Sequence, residues 1–161
     1  MIAILLNDAS FEQDIRELLM AFYPGETFTH KEEEAGETEL IVRGVRDGNS
    51  FSLDVTPVKK EAVHFALIYP DFSNRFQTKN EIKQTLYRLL SAQTGRELPW
   101  GTLTGIRPTK IALTKLYDGW TDEQIETYMR ETYFTSKEKI DLSIDVAERE
   151  RRLLSTIDYE N

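Results

Sequence analysis

Leu40-Ile41-Val42-Arg43-Gly44-Val45-Arg46-Asp47-Gly48-Asn49-Ser50-Phe51-Ser52-Leu53-Asp54-Val55-Thr56 carries the strongest β pattern in the chain. An apolar run leads to Asp47-Gly48, after which Phe51, Leu53 and Val55 alternate with Ser52, Asp54 and Thr56. Period-two alternation sends successive side chains to opposite faces of a strand, and Asp-Gly between two such runs suits a tight hairpin turn. Val63, Phe65, Leu67 and Tyr69 alternate again up to Pro70. Met1–Leu6 is an apolar run of strand length that stops at Asn7-Asp8, and Glu26–Lys31 is a further strand candidate.

Helical signals flank this sheet. Ser10-Phe11-Glu12-Gln13 has capping-box spacing, Ile15, Leu18, Leu19 and Phe22 recur at helical intervals, and Glu12 and Arg16 stand one turn apart. The pattern predicts a helix over 11–23, ended by Pro24-Gly25. After Phe76 the β signals cease. Thr78-Lys79-Asn80-Glu81 reads as a second capping box ahead of Ile82, Leu86, Leu89 and Leu90, with Gly95 as the stop. Pro108 suits the first turn of a helix bearing Ile111, Ala112, Leu113 and Leu116. Thr121-Asp122-Glu123-Gln124 caps another with Ile125, Tyr128 and Met129, and Thr135-Ser136-Lys137-Glu138 caps a last one with Ile140, Ile144 and Ala147.

The fold class expected is α+β: a small, mainly antiparallel sheet with a helix, followed by an α-helical subdomain. The expected division is a sheet-bearing half at 1–76 and a helical half at 77–161, with the polar stretch Asp71-Phe72-Ser73-Asn74 at the border. One continuous core is equally compatible with these signals.

Composition narrows the chemistry. The 161 residues include no cysteine and two histidines, with a net charge of -8. No disulfide, thiolate zinc site, cysteine-held iron–sulfur cluster or cysteine nucleophile can form within the chain. A pI near 4.9 opposes general affinity for nucleic acid or acidic membranes. No run approaches the ~20 apolar residues of a bilayer span, and no stretch reads as a secretory signal, so a cytoplasmic location is expected. His64 sits between Val63 and Phe65 without a carboxylate at ligand spacing, which fits a structural or solvated role, and His30 beside Lys31 reads as surface. Glu32-Glu33-Glu34 lacks the alternating ligands and glycine of a calcium loop and reads as a solvated turn. No metal site is expected.

Leu98-Pro99-Trp100-Gly101-Thr102-Leu103-Thr104-Gly105-Ile106-Arg107-Pro108-Thr109-Lys110 stands apart. Trp100, Gly101, Gly105 and Pro108 form a scaffold of special backbone positions just where a helix begins, and they carry two cations, Arg107 and Lys110. Free N–H groups, the positive end of a helix dipole and two cations together make a site for carboxylate or phosphate. Two other readings stand beside it: the cations pair with acidic residues of this acidic chain, or they dock it to another domain while Trp100 fills the core.

The same segment, preceded by Tyr87-Arg88-Leu89-Leu90 and followed by the Ser136–Ser155 helix, resembles the N-terminal region of the oxygen-independent coproporphyrinogen III oxidase-like radical-SAM proteins of the coproporphyrinogen dehydrogenase type. The resemblance covers residues 80–157 and extends to 1–75 in layout alone. In that family a (β/α)-barrel follows, whose three cysteines in C-x-x-x-C-x-x-C spacing hold a [4Fe–4S] cluster that cleaves S-adenosylmethionine. The family reaction in haem biosynthesis is oxidative decarboxylation of two coproporphyrinogen III propionates, giving protoporphyrinogen IX. None of its cysteines has a counterpart here, and no catalytic residue carries over.

The resemblance therefore implies an N-terminal accessory domain, catalytically inert alone, ending at Asp158-Tyr159-Glu160-Asn161 about where a barrel would begin. S-adenosylmethionine and the cluster are implied for that barrel, not for this chain. The implied partners are the barrel of the same parent chain and the propionates of a tetrapyrrole, which Arg107 and Lys110 would meet; no nucleic acid and no membrane is implied. Two alternatives remain: an accessory domain of a haem-binding, haem-trafficking relative, and a DNA-binding regulator drawn as helix-turn-helix through Thr121–Tyr133 and Ser136 onward. The second alternative suffers from the mixed-sign face of Lys137, Glu138, Lys139 and Asp141.

Overall fold

The computed structural model describes residues 1–59, 63–104 and 108–160, the last four of these as backbone alone. β1 (Ile2–Leu6) leads through a 3₁₀ turn at Ala9–Phe11 into α1 (Glu12–Phe22). β2 (Phe28–Thr29), a 3₁₀ helix at Glu32–Glu37, β3 (Leu40–Asp47), β4 (Ser50–Pro57) and β5 (His64–Ile68) complete the β region. The helices α2 (Arg75–Thr94), α3 (Pro108–Tyr117), α4 (Asp122–Tyr133) and α5 (Lys137–Glu160) follow. The chain divides into two compact units, Met1–Glu97 and Leu98–Asn161.

In the first unit the sheet order is β2-β1-β3-β4-β5. β1 runs parallel to both its neighbours, whereas β3–β4 and β4–β5 are antiparallel, β3–β4 making the longest ladder. The fold is α+β, as expected, with a mixed sheet. β1 takes the interior place because Ile2, Ala3 and Ile4 are all buried, so it reads as an apolar run and not as an alternation. In the hairpin, Asp47 pairs with Ser50, so the two-residue loop is Gly48-Asn49, with Gly48 at φ 60°.

One face of the sheet meets the helices. Ile15, Leu18, Leu19 and Phe22 of α1 and Ile82, Leu86 and Leu90 of α2 are fully buried with Val42, Leu53 and Val55. Phe22 and Tyr87 meet edge to face at 5.3 Å, and the Arg96 guanidinium donates to the Phe22 carbonyl.

α2 therefore belongs to the sheet-bearing unit. The sequence reading placed the border at 76/77, ahead of this helix; the compact units divide after it, at 97/98. Its apolar face finds its complement on the sheet and α1, which no local signal records.

Two caps also differ from their expected form. The Ser10–Gln13 box is replaced by Asp8, whose side chain accepts from the Ser10 amide at 3.0 Å to start the 3₁₀ turn, while α1 begins without a side-chain cap. α2 starts a turn before Thr78, because Asn74 accepts from the Gln77 amide at 3.1 Å. Thr78 then lies inside the helix and donates to the Asp71 carbonyl at 2.6 Å. Gly95 closes α2 at φ 70°, as the sequence predicts.

The second unit packs α3, α4 and α5 around Ala112, Leu116, Ile125, Met129, Tyr133, Ile140, Ile144 and Ala147. Thr121 and Gln124 form both bonds of the expected capping box. At α5, Ser136 stands at the cap position and its hydroxyl accepts weakly from the Lys139 amide at 3.4 Å. Thr135 turns away and donates to the Trp100 carbonyl at 3.2 Å.

Candidate functional site

The segment singled out in the sequence, Leu98–Lys110, is anchored at its first half to the turn between α4 and α5. The Gly101 amide donates to the Leu98 carbonyl at 2.9 Å and the Leu103 amide to the Trp100 carbonyl at 3.2 Å, which folds 98–103 into a compact turn. Thr102 donates its amide to the Tyr133 carbonyl at 2.7 Å, and the Ser136 amide donates to the Pro99 carbonyl at 2.9 Å.

Gly101 is required at the centre of this arrangement. Its φ is 62°, and a Cβ there would overlap the Tyr133 carbonyl oxygen and lie 2.6 Å from the carbonyl carbon of Phe134. Phe134 is itself left-handed at φ 58°, as the last turn of α4 closes. Trp100 is partly buried against the helical core, with the Lys139 ammonium 5.6 Å from its ring centroid.

The anion site expected from the sequence would fall on the second half of the segment. Pro108 is the first residue of α3, as expected. Lys110 is exposed in the first turn of that helix, and among the described residues it makes no ion pair. Gly105 and Arg107 lie outside the described residues, so the pairing of Arg107 with Lys110 has no stated geometry.

The histidines occupy ordinary positions. His30 is exposed, its Nε2 3.0 Å from Glu12 Oε1, and His64 lies half-buried in β5. Glu32 pairs with Arg43 through two bonds of 2.8 and 3.1 Å, which holds the Glu32 carboxyl below its ordinary range, so the acidic turn is partly spent on ion pairs. Among the described residues no three His, Asp or Glu side chains gather as a metal-binding group, and no helix is long and apolar enough to cross a membrane.

Two features of the helical unit escaped the sequence reading. The Lys115 ammonium sits 4.5 Å from the Trp120 ring and 4.8 Å from the Tyr128 ring, beside a cavity of 640 Å³ lined by Trp120, Thr121, Gln124 and Tyr128 among others. Burial, and then the hydrogen bond with Tyr128, push the Tyr133 phenol above its ordinary range. Helical spacing marks Tyr128 as core; nothing local places Lys115 between two rings.

The other feature is a groove of 280 Å³ between α4 and α5, lined by Asp122, Glu123, Glu126, Asp141, Asp145 and Glu148. A hydrogen bond with Asp122, and then burial, raise the Glu148 carboxyl above its ordinary value. These helices are the pair that a helix-turn-helix reading would lay on DNA. Part of the groove's negative charge is compensated, since Lys137 pairs with Glu126 and Asp141, and Arg149 with Asp145.

No family model and no solved structure matches the chain. Over 98 residues the chain is 36% identical to the oxygen-independent coproporphyrinogen-III oxidase-like protein HemZ of Bacillus subtilis (strain 168). The matched stretch covers 59% of this chain and 19% of that protein, so the chain spans about a fifth of the relative's length. The resemblance read from the sequence thus has a direct counterpart: this chain is similar to a limited region of a coproporphyrinogen-III oxidase-like protein.

Proposed function

We propose that this chain serves as the accessory domain of an oxygen-independent coproporphyrinogen III oxidase-like protein of porphyrin biosynthesis, and that it contacts a carboxylated tetrapyrrole without performing the chemistry. The observation that carries this reading is the 36% identity over 98 residues to HemZ. The donor set is consistent with a non-catalytic part. With no cysteine in the chain, the residues do not fit a cysteine-held [4Fe–4S] cluster. Cluster and S-adenosylmethionine chemistry would belong to a radical-SAM barrel in the same parent protein.

Arg107 and Lys110 are the proposed carboxylate contacts. Guanidinium takes a carboxylate through two parallel bonds, and Lys110 stands exposed in the first turn of α3, where the helix dipole adds to its charge. The anchored turn at 98–103 would give the loop a fixed starting point. Isothermal titration of coproporphyrin into the whole chain, beside Arg107→Ala and Lys110→Ala, tests the proposal. Saturable heat weakened by either substitution supports it, and no heat or identical curves would remove it.

A further inference from the structure

Two helix signals in succession fix the place of Trp120. α3 ends in a Schellman turn, in which the Trp120 amide donates to the Lys115 carbonyl and the Gly119 amide to the Leu116 carbonyl, both at 3.0 Å, with Gly119 left-handed at φ 85°. The capping box of α4 opens at the next residue, Thr121. Trp120 is thereby held beside the last turn of α3, its ring nearly perpendicular to that of Tyr128, at 82° with 5.5 Å between centroids. The Lys115 ammonium lies in the corner between the two rings, 4.5 and 4.8 Å from their centroids.

The polar groups around this corner are mostly donors. Among the described residues the Lys115 ammonium has neither a carboxylate nor another hydrogen-bond acceptor, so its donors are unspent. The capping box turns the neighbouring acceptors inward. Gln124 Oε1 accepts from the Thr121 amide and Thr121 Oγ1 accepts from the Gln124 amide, which leaves the Gln124 amide NH₂ and the Thr121 hydroxyl proton to donate. Thr127 adds a hydroxyl to the same cavity, and Glu123 adds a carboxylate that makes no ion pair among the described residues.

We propose that this cavity binds a small monocarboxylate with a planar aromatic body, its carboxylate on Lys115 and Gln124 and its ring against Trp120. A carboxylate supplies the acceptors that the unspent donors lack, and a flat ring matches the flat indole wall. The volume of 640 Å³ suits a small molecule, whose sites span about 300–1,000 Å³. Glu123 limits the charge of the ligand. One negative group is met by Lys115, whereas a second would face the Glu123 carboxylate, so polyphosphates and polycarboxylates are opposed. The inference is independent of the tetrapyrrole reading, because a molecule with four propionates is disfavoured in this cavity.

Proton–nitrogen correlation NMR of the whole chain titrated with naphthoate tests the site, with naphthamide as the probe that lacks the charge and acetate as the probe that lacks the ring. The expected result is saturable shifts of the Trp120 indole N–H and the Gln124 side-chain amide, with the Trp100 indole N–H unmoved. Naphthamide and acetate should each bind at least about tenfold more weakly than naphthoate. Gln124→Glu keeps the capping box, since glutamate serves at that position, but replaces the donor NH₂ by an oxygen. That variant and Lys115→Met should each weaken naphthoate at least about tenfold, with far-UV circular dichroism as the check on folding. Lys139→Met removes the equivalent charge from beside the Trp100 ring and should leave the affinity unchanged. Glu123→Gln should strengthen binding by removing the like charge. Shifts that do not saturate, naphthamide or acetate binding as tightly as naphthoate, indifference to both Lys115→Met and Gln124→Glu, or weaker binding in Glu123→Gln would overturn the proposal.

Discussion

The amide of Thr102 donates to the carbonyl of Tyr133 across 2.7 Å, tying the glycine turn to the end of α4. Thr102 is 2% exposed and Tyr133 7%, so the bond is shielded from water and the two backbones cannot separate cheaply. Gly101 is what permits the approach.

Gly101→Ala should therefore destabilise the helical unit by about 3 kcal/mol or more, since left-handed strain alone costs about 1–3 kcal/mol and the added methyl also overlaps main chain. Gly48→Ala is the control. Gly48 has nearly the same φ, 60°, but nothing within 4 Å of an added Cβ, so about 1 kcal/mol is expected from conformational strain. Urea unfolding of both variants checks the pair. Equal losses would mean that the contact with Tyr133 and Phe134 has no energetic weight.

Thr121 and Gln124 exchange both bonds of a capping box, at 3.2 and 2.9 Å. Thr121→Ala should cost about 1 kcal/mol, and Thr121→Ser should restore most of it, because the hydroxyl oxygen is the working group. Amide hydrogen exchange in the first turn of α4 should rise with the alanine variant and not with serine.

Two aspartates on the sheet unit should titrate in opposite directions. Hydrogen bonds from the Ser10 hydroxyl and amide hold the Asp8 carboxyl below the ordinary 3.8. Its contribution to stability is present above 3.8 and is lost as pH falls through the lower folded value. Burial raises Asp54 above 3.8 despite Thr56 and Arg43, so the stability it contributes is fully present below 3.8 and is lost as pH rises through the folded value. Carboxyl NMR titrations should place the two midpoints on either side of 3.8. In unfolding experiments the relative cost of Asp8→Asn should grow as pH rises, while Asp54→Asn should gain relative to the parent chain over its own, higher window.

The sheet could be read from the sequence wherever one face is wet. Phe51, Leu53 and Val55 alternate because Ser52, Asp54 and Thr56 face outward, and the structure keeps that assignment. The place of β1 could not be read, because a strand buried among parallel neighbours shows only an apolar run. Helix caps followed local chemistry at Thr121 and Gly95, but failed at Ser10 and Thr78, where Asp8 stood two residues earlier and Asn74 one turn earlier with equally good oxygens. The unit boundary was hidden for a different reason: whether α2 packs on the sheet depends on partners far away in sequence. In the candidate site, the need for glycine at 101 was visible as residue type, whereas its neighbour, the Tyr133 carbonyl, is a product of tertiary packing.

The central claim is that this chain takes a carboxylated tetrapyrrole through Arg107 and Lys110. Its most direct test is a parallel titration of the whole chain with coproporphyrin and with the tetramethyl ester of the same macrocycle. The account predicts saturable binding of the acid, little or none of the ester, and at least a tenfold loss with Arg107→Ala, equivalent to about 1.4 kcal/mol of binding free energy. Equal binding of acid and ester, or binding unchanged by Arg107→Ala and Lys110→Ala, would contradict it.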